Sequence, residues 1–400
     1  MILRLFHEKL LKALHAMPVV ALLGSRQVGK TTLALGVAEI MDKTTTYLDL
    51  ESDTDLNKIS DAEAYLKRFD GELLIIDEVQ RKPDLFRVLR GIVDERKRKG
   101  ERSGQFLLLG SASRDLLQQS SETLAGRIRY LELTPFMAYE LMHNYPDFKL
   151  EWLWLRGGFP DSFLASTNEE SWNWRNDFIS TYMERDLPLM GVGIAPTQLK
   201  RFWKMLAHYN GNQVNLSEIG RSLELSHTTI KNHLDVLTDF YMVRQLPPWS
   251  GNVKKRLVKS PKVYLRDKGI LHSLMNISSM ESLLAHPGMG ASWEGFVIEN
   301  ILNLIDNRWA YSYYRTATQI EIDLVLHTPN GEVWAIEIKR ASAPRLGRGF
   351  HEACLDIGAT HKWIVNANID RYPLSNQVEV VGLQEFLELL IMKSKEMSDY

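Results

Sequence analysis

Short apolar runs alternate with helical patterns in the first third of the chain. Apolar runs without polar alternation are typical of strands buried on both faces, and helices between them are what a parallel sheet covered on both sides requires. The runs are bounded by polar or turn-forming residues and comprise PVVALLG, TTYLDL, ELLIIDE, QFLLLGS and RYLELTP. Residues 1–150 are therefore predicted to form an α/β domain built on a parallel sheet.

The pattern changes twice further along the chain. Residues 151–270 carry Trp, Leu and charged residues at helical spacing, without comparable apolar runs, which predicts a mostly helical region. Strand patterns return in EIDLVL and VWAIEIK, which flank a Pro-Asn-Gly turn. Residues 271–400 are therefore predicted to form a separate α+β domain.

The composition is that of a globular protein with several domains. The chain has 400 residues, of which 44% are hydrophobic and 24% charged, and this length favours two or three domains. Its longest apolar runs fall well short of the roughly 20 residues that cross a bilayer. Cys354 is the only cysteine, which excludes an internal disulfide and fits a reducing compartment. We expect a cytoplasmic protein that spans no membrane.

The net charge of −2 excludes a polyanion-binding character of the whole chain, so any contact with nucleic acid must be local. Residues 81–102 hold nine Lys or Arg against four acidic residues, and residues 254–268 hold seven against one. Each stretch is either a contact surface for phosphates or an ordinary solvated face.

The strongest chemical signal is GSRQVGKT at residues 24–31, which matches G-x-x-x-x-G-K-[ST] between a predicted strand and a predicted helix. Gly24 and Gly29 let the backbone curl so that its amide N–H groups face phosphates at a helix N-terminus. Lys30 is expected to neutralise the β- and γ-phosphates of ATP, and the Thr31 hydroxyl to coordinate Mg²⁺. The predicted nucleotide-binding residues are Gly24, Ser25, Arg26, Gln27, Val28, Gly29, Lys30, Thr31, Thr32 and Ser111.

An acid pair ends the predicted strand LLIID. We expect Asp77 to hold Mg²⁺ and Glu78 to act as the general base that activates water. Another strand, TTYLDL, lies between the phosphate loop and this acid strand in the sequence. That order, with a Glu beside the Asp, favours a hydrolysing motor-type ATPase over a small-molecule kinase.

Further polar residues follow the strand QFLLLG. Ser111 and Ser113 either sense the γ-phosphate or belong to an ordinary turn. In many such enzymes a neighbouring subunit supplies an arginine that stabilises transition-state charge. Among Arg114, Arg127 and Arg129, the best candidate for this role in a homo-oligomer is Arg127, and a structural salt bridge is its alternative role.

Residues 215–246 contain the pattern of a winged helix-turn-helix. Ser217 and Ser226 precede two short helical patterns as candidate caps, and a hydrophobic lead into a wing follows. If this region contacts DNA, the basic segment 254–262 lies near the backbone and the second helix reads the major groove. The residues expected on bases or phosphates are then His227, Thr228, Thr229, Lys231 and Asn232. The alternative role is an oligomerisation or lid module.

The C-terminal strands carry a D-x(13)-E-x-K pattern. Counting back from the turn places Asp323 opposite Glu337 on one face of a hairpin, about 5 Å apart at Cβ. Two carboxylates so close favour a bound cation, and Mg²⁺ prefers such oxygens. Lys339 would stabilise developing charge or orient the attacking water, and Glu299 on the preceding helix is a further acidic candidate.

This pattern on a hairpin is the signature of restriction-endonuclease-like folds. The simpler alternative is an ordinary salt bridge between Glu321 and Lys339 across the strands. A third alternative keeps the fold and DNA binding but no efficient cleavage.

These motifs together resemble the prokaryotic AAA-type ATPases that carry a C-terminal restriction-endonuclease-like domain of unknown function. The resemblance covers nearly the whole chain and departs from the usual glycine-containing approach to the acidic strand at Gln319 and Ile320. The similar strings are GSRQVGKTT, LLIIDEVQRKPDLF, ETLAGRIRYLELTPF, WLRGGFPDSFLA, TYMERDLP, KSPKVYLRDKGILH, WEGFVIENIL, EIDLVL and AIEIK. The resemblance implies ATP binding and hydrolysis, a winged-helix segment and a nuclease-like end.

Two functions follow as hypotheses. The first is an Mg²⁺-dependent ATPase whose nucleotide state is coupled to a C-terminal domain that binds DNA and can cleave it. The second is a regulatory or binding module, switched by ATP, whose nuclease-like fold is inactive.

Overall fold

A computed structural model describes residues 2–111, 124–251, 253, 255–341, 346–367, 370–374 and 377–396. Residue contacts divide the chain into two compact units. Unit 1 comprises Met1–Phe136, Glu184–Gly193 and Asp235–Met242, and unit 2 comprises Met137–Met183, Ile194–Leu234 and Val243–Tyr400. The domain boundaries expected at residues 150 and 270 stay a prediction.

The helices are numbered in chain order over the described residues. They are α1 (Phe6–Ala16), α2 (Lys30–Ala38), α3 (Asp53–Lys58), α4 (Ala62–Leu66), α5 (Leu85–Arg98), α6 (Ala138–Asn144), α7 (Leu150–Arg156), α8 (Pro160–Phe163), α9 (Asn168–Thr181), α10 (Leu187–Leu189), α11 (Pro196–His208), α12 (Leu216–Leu223), α13 (His227–Asp239), α14 (Lys268–Leu274), α15 (Met280–Ala285), α16 (Met289–Leu302), α17 (Arg348–Asp356) and α18 (Leu383–Glu396). A π-helical turn, Tyr182–Asp186, follows α9.

The strands are numbered in the same way. They are β1 (Val19–Leu23), β2 (Thr45–Asp49), β3 (Leu73–Asp77), β4 (Phe106–Gly110), β5 (Ile128–Glu132), β6 (Asn212–Gln213), β7 (Val243–Leu246), β8 (Lys262–Leu265), β9 (Ala310–Arg315), β10 (Glu321–His327), β11 (Val333–Ile338), β12 (His361–Asn366), β13 (Tyr372–Leu374) and β14 (Val378–Gly382).

Unit 1 is built on the predicted parallel sheet. Its strand order is β2-β3-β4-β1-β5, and each neighbouring pair is parallel, which confirms the α/β prediction. The residues of β1, β3 and β4 are buried throughout, as their unbroken apolar runs predict. Because β4 lies between β1 and β3, the ends of these three strands bring Gly24, Asp77 and Ser111 to one edge of the sheet.

Helix α5 covers this sheet with one apolar face and takes a cation into the core. Arg96 is buried, and it donates to the carbonyl oxygens of Leu66 at 3.2 Å and Phe69 at 2.8 Å. The basic stretch 81–102 is therefore not solely a solvated face. Arg87 and Arg90 on the same helix are exposed.

In unit 2, β6, β7 and β8 form an antiparallel sheet in the order β6-β8-β7. The first predicted helix begins earlier than expected, because the Asn215 side chain accepts from the Glu218 N–H at 3.2 Å. The predicted Ser217 cap is therefore wrong, and Ser217 lies inside α12. Ser226 does cap α13, since its Oγ accepts from the Thr229 N–H at 3.0 Å.

The C-terminal part of unit 2 holds the predicted α+β arrangement. Its mixed sheet has the order β13-β14-β12-β11-β10-β9, in which β9, β10 and β11 form an antiparallel meander and β11, β12 and β14 are parallel. The turn between β10 and β11 closes as predicted, because Gly331 adopts φ +85° and its N–H donates to the Thr328 carbonyl at 3.0 Å.

Within the described ranges, every helix is too short or too polar to cross a membrane.

Candidate nucleotide site and candidate acidic site

The phosphate loop connects β1 to α2. Gly24 adopts φ +149° and a Cβ there would overlap the Leu133 carbonyl oxygen, so this position requires glycine. Gly29 adopts φ +89° and is the N-cap residue of α2, which begins at Lys30. The loop thus delivers its amide N–H groups to the N-terminus of a helix, the arrangement that favours an anion.

The side-chain ammonium of Lys30 is buried against the phosphate loop. Its Nζ donates to the carbonyl oxygens of Gly24 at 3.0 Å and Ser25 at 2.9 Å. Burial lowers the pKa of Lys30 to about 8, against the opposing charges of Glu78 and Asp77. The ammonium is therefore held where a phosphate group would pair with it.

Thr31 and Asp77, the two predicted magnesium ligands, are in hydrogen-bond contact. The Thr31 hydroxyl donates to Asp77 Oδ2 at 2.7 Å, and the Tyr47 hydroxyl donates to the same oxygen at 2.9 Å. A hydroxyl oxygen beside a buried carboxylate is a donor set that suits Mg²⁺, so these residues fit the ion. Tyr47 was missed because its approach depends on the pairing of β2 with β3, which no local pattern reveals.

Glu78 is fixed by its own backbone and by two neighbours. It adopts φ +51°, and its Oε2 accepts hydrogen bonds from Gln80 and, at 3.1 Å, from the Ser111 hydroxyl. Ser111 is 1% exposed and accepts from Gln80 Nε2 at 3.0 Å. The structure thus places Ser111 beside the predicted base. Ser113 and Arg114 lie outside the described residues.

Arg26, in the middle of the loop, is surrounded by carboxylates. Its guanidinium forms ion pairs with Glu51 and Asp186, and it lies 3.8 Å from Glu78 Oε1. Burial alone would lower the pKa of Arg26, but the charges of Glu78, Asp186 and Glu51 raise it above its ordinary value. Glu51 and Asp186 were not predicted as partners of Arg26, although Asp186 lies in the string TYMERDLP.

Arg127 forms the salt bridge that was its alternative role. Its Nε and a terminal nitrogen lie 2.7 and 3.1 Å from the two carboxylate oxygens of Asp94 on α5. The hydrogen bond that Arg127 donates to Asp94 raises the pKa of Arg127. A role for Arg127 in a neighbouring subunit stays a prediction.

A second group of charged residues lies at the β10–β11 hairpin of unit 2. Leu324 pairs with Ile336, so Asp323 and Glu337 lie one residue beyond the last pair of this register, and the charge of Glu337 acts on Asp323. Asp323 Oδ2 accepts from the Ile338 N–H at 2.8 Å, and Lys339 lies 2.6 Å from Glu337 Oε1. The other oxygen of Glu337 is buried and has no hydrogen-bond partner among the described residues.

The helical acid of this group is Glu294, and the prediction of Glu299 is wrong. Carboxylate oxygens of Glu294, Glu321 and Asp323 lie within 4.8 Å of one another. Glu299 is instead paired with Arg244 and Arg266 in a separate buried cluster. Burial would raise the pKa of Glu299, but those two arginines lower it to about 2.

A lysine from a distant strand completes the acidic site. Lys262, at the start of β8, is 2% exposed, lies 2.8 Å from Glu294 and also pairs with Glu321. Glu321 has Arg315 as a further partner at 3.1 Å. Among the described ion pairs, the alternative Glu321–Lys339 salt bridge does not occur, and each of the two residues has other partners.

Burial makes the charged form of the carboxylates in this site less stable. Burial and the charges of Glu337 and Glu294 raise the pKa of Asp323 well above its ordinary value. Burial opposes the charge of Lys262, but Glu294, Asp323 and Glu321 raise its pKa. A further cation at Asp323 and Glu337 would relieve this repulsion, and the unpartnered Glu337 oxygen fits that role.

Most of the residues predicted to read DNA are exposed, but two of the basic residues expected near them form ion pairs within the protein. In α13, His227, Thr228, Lys231 and Asn232 are exposed and Thr229 is half-buried. The segment 254–262 was expected to lie on a DNA backbone, but Lys262 is buried and Lys255 pairs with Asp356 at 2.8 Å. For Lys262 that expectation is wrong, because its ammonium is taken up by acids of the same unit.

Three family models match successive parts of the chain. A model described as an AAA domain matches residues 16–142, which include the phosphate loop and the acid pair. The parallel sheet, the loop and the acid strand thus define an AAA-type P-loop ATPase domain. Models described as domains of unknown function, DUF8612 and DUF4143, match residues 147–281 and 289–386.

A curated relative covers nearly the whole chain. The uncharacterized protein Rv2008c of Mycobacterium tuberculosis is 42% identical over 379 residues, which span 95% of this chain and 83% of that protein. The uncharacterized protein Mb2031c of Mycobacterium bovis matches with the same values. The chain belongs to the family of these two proteins.

Among solved structures, the Walker-type ATPase PABY2304 of Pyrococcus abyssi has a TM-score of 0.47 and 13% identity, over 69% of this chain and 96% of that one. The ORC1 protein of Aeropyrum pernix, solved in complex with DNA, has a TM-score of 0.33 and 13% identity, over 70% and 92% of the two chains. These TM-scores are too low to support a statement about function.

Proposed function

We propose that this protein binds ATP with Mg²⁺ and hydrolyses it. The observation that carries the proposal is the meeting of Lys30, Thr31, Asp77 and Glu78 at one edge of the parallel sheet, with Thr31 and Asp77 joined at 2.7 Å. A phosphate loop alone would also suit a binding protein. The second acid, held beside Ser111, supplies the base that hydrolysis requires.

The residues divide the work as follows. The loop amides and Lys30 bind the β- and γ-phosphates, and Thr31 and Asp77 hold Mg²⁺, which neutralises charge on the phosphate oxygens when bound. The oxygen of the attacking water forms a bond to the γ-phosphorus while Glu78 accepts a proton from that water. The bond from that phosphorus to the β–γ bridging oxygen breaks, and ADP leaves with the bonding electron pair.

Two substitutions separate binding from chemistry. Lys30→Ala should abolish ATP binding, whereas Glu78→Gln should bind ATP and retain it without phosphate release, since the amide cannot accept the proton. Calorimetric titration with Mg·ATP and a phosphate-release assay measure the two steps. Arg87→Ala, which removes an exposed cation outside the site, is the matched control. Normal turnover in Glu78→Gln would refute its role as the base.

A homo-oligomer is part of this proposal, because Arg127 could then act on a neighbour's nucleotide. Gel filtration with and without a nonhydrolysable ATP analogue tests it. The expected result is a larger species that requires the analogue, and a monomer under both conditions would contradict the proposal.

The unpartnered Glu337 oxygen favours a second activity in the C-terminal part of the chain. We infer that Asp323 and Glu337 hold a divalent cation and that Lys339 lies beside the reacting phosphodiester of DNA. The alternation of helices and strands from α11 to β8, with β8 between β6 and β7, supports a winged helix that would contact DNA through α13. Together these features favour a restriction-endonuclease-like end.

Metal-dependent DNA cleavage tests this second activity. Asp323→Ala and Glu337→Ala should each abolish cleavage in Mg²⁺ or Mn²⁺, with Glu352→Gln, an exposed acid, as the control. Cleavage that survives both substitutions would remove the nuclease assignment. DNA binding that is retained without any cleavage, even in the unaltered protein, would favour the alternative of an ATP-switched binding module. A steep loss of affinity with salt would show that phosphates are contacted.

A further inference from the structure

Arg26 is the one residue of the phosphate loop whose side chain contacts the predicted base. Its guanidinium lies 3.8 Å from Glu78 Oε1, while the other Glu78 oxygen accepts from Ser111 at 3.1 Å. Glu78 thus has a hydroxyl on one side and a cation on the other. These three side chains converge at the edge of the sheet where the acid strand and the phosphate loop end.

The guanidinium remains a cation there, because three carboxylates surround it. Glu51 and Asp186 bind its two terminal nitrogens, and the side chain of Arg26 is 15% exposed. A guanidinium is a planar donor that matches carboxylates and phosphates equally well. It can therefore exchange a carboxylate partner for a phosphate oxygen without changing its protonation.

The position of Arg26 in the chain brings it to the phosphates. It lies between Gly24 and Gly29, and the residue that follows it, Gln27, adopts φ +60°. The loop amides face the phosphates, and Glu78 must lie within hydrogen-bond reach of the attacking water. Arg26 is attached to that loop and lies beside Glu78, so we expect its guanidinium next to the γ-phosphate of bound ATP.

Arg127 is less suited to the same task within one chain. It is held by both oxygens of Asp94, and no contact of its side chain with Lys30, Thr31, Asp77 or Glu78 occurs among the described hydrogen bonds and ion pairs.

We propose that Arg26 is a catalytic arginine that stabilises charge on the γ-phosphoryl group in the transition state, supplied by the phosphate loop of the same chain. The proposal rests on the ATPase function proposed above. Asp186 and Glu51 hold Arg26 before nucleotide binds. During hydrolysis the water oxygen bonds to the γ-phosphorus as the bond to ADP breaks, the water proton passes to Glu78, and Arg26 transfers no proton.

The test compares Arg26→Ala with Arg87→Ala, which removes an exposed arginine of α5. Phosphate release and the affinities for Mg·ADP and for Mg·ADP with aluminium fluoride, a mimic of the transferring phosphoryl group, are measured for each. We expect Arg26→Ala to lose about 100-fold or more in kcat and a similar factor in affinity for the aluminium fluoride complex. Its affinity for ADP should change by no more than about threefold, and Arg87→Ala should match the unaltered protein in all three measurements.

Three results would overturn the proposal. One is a kcat for Arg26→Ala within about threefold of the unaltered protein. Another is an equal loss of affinity for ADP and for the aluminium fluoride complex, which would indicate a structural role for Arg26 in the loop. The last is a selective loss of the aluminium fluoride complex in Arg127→Ala while Arg26→Ala retains it.

Arg26→Lys keeps the proposal testable if the alanine variant does not fold. An ammonium lacks the planar pair of N–H donors of a guanidinium, so we expect this variant to bind ADP normally and to lose about tenfold or more in kcat. If the unaltered protein binds ATP but releases no phosphate, the ATPase function itself fails. The aluminium fluoride titration then still decides whether Arg26 contacts the phosphoryl group.

Discussion

Buried Lys262 and half-buried Glu294 form an ion pair of 2.8 Å at the edge of the acidic site. The lysine comes from β8 and the glutamate from α16, and the same ammonium also pairs with Glu321. A lysine side chain thus supplies positive charge to a group of acids that would otherwise need another cation.

Lys262→Met should destabilise the protein by about 3–5 kcal/mol, because it removes the buried cation from a group of acids that includes buried Asp323. Mn²⁺ should recover part of the loss by binding to the same oxygens. Thermal unfolding with and without Mn²⁺ measures both effects, and Lys259→Met, at an exposed position of the same segment, is the control. A loss that is identical with and without the ion would show that the acids do not accept a metal.

Gly24→Ala should destabilise unit 1 by about 1–3 kcal/mol and abolish ATP binding. The new Cβ would overlap the Leu133 carbonyl oxygen at a φ that only glycine adopts readily. Gly36→Ala is the matched control in α2, where no atom lies within 4 Å of the added Cβ. It should be neutral or stabilise the protein by about 0.5–1 kcal/mol. Urea unfolding and ATP titration of both variants test the difference.

His272 should make stability fall in mild acid. Burial lowers the pKa of His272 to about 3, and the nearby cations Arg175 and Lys268 act in the same direction. The neutral ring pairs with the Ser292 hydroxyl at 2.7 Å and the Leu155 carbonyl at 3.1 Å.

The unfolded chain takes up this proton near pH 6.5, whereas the folded protein does so only near pH 3. The contribution is therefore fully present above pH 6.5 and is lost as the pH falls toward 3, by about 2 kcal/mol at pH 5. Urea unfolding at several pH values should show this slope, and His272→Gln should reduce it. An unchanged slope in the variant would contradict the assignment.

Asp94 and Arg127 should couple only weakly. Their side chains are 36% and 29% exposed, and partly exposed pairs contribute about 0.2–1 kcal/mol. A double-mutant cycle with Asp94→Ala and Arg127→Ala should give a coupling energy in that range. A much larger value would indicate that the pair organises the end of the sheet rather than merely joining two elements.

Features encoded within a few neighbouring residues were predictable. The phosphate loop needs only its glycines, Lys30 and Thr31 between a strand and a helix, and each of these follows from local spacing. The closeness of Asp323 and Glu337 is also local, because the Pro-Asn-Gly turn sets the register of the hairpin on which both lie. Unbroken apolar runs likewise predicted the strands of the buried parallel sheet.

The identity of the helical acid could not be read from the same kind of pattern. Glu294 and Glu299 both lie in WEGFVIENIL, and five residues turn an α-helix by a net angle of about 140°. Which of the two faces the hairpin depends on how α16 is rotated about its axis. Packing of its apolar residues sets that rotation, so Glu294 joins the acids and Glu299 pairs with Arg244 and Arg266.

Contacts between distant segments could be identified only from the folded structure, for the same reason. Tyr47 reaches Asp77 because β2 is the neighbour of β3, Asp186 reaches Arg26 across 160 residues, and Lys262 reaches Glu321 from β8. Local sequence patterns determine which residues form a strand, a helix or a loop, since these depend on side-chain spacing and backbone preference. The partners of each charged side chain depend on strand order and helix rotation, which are set by burial of the core as a whole.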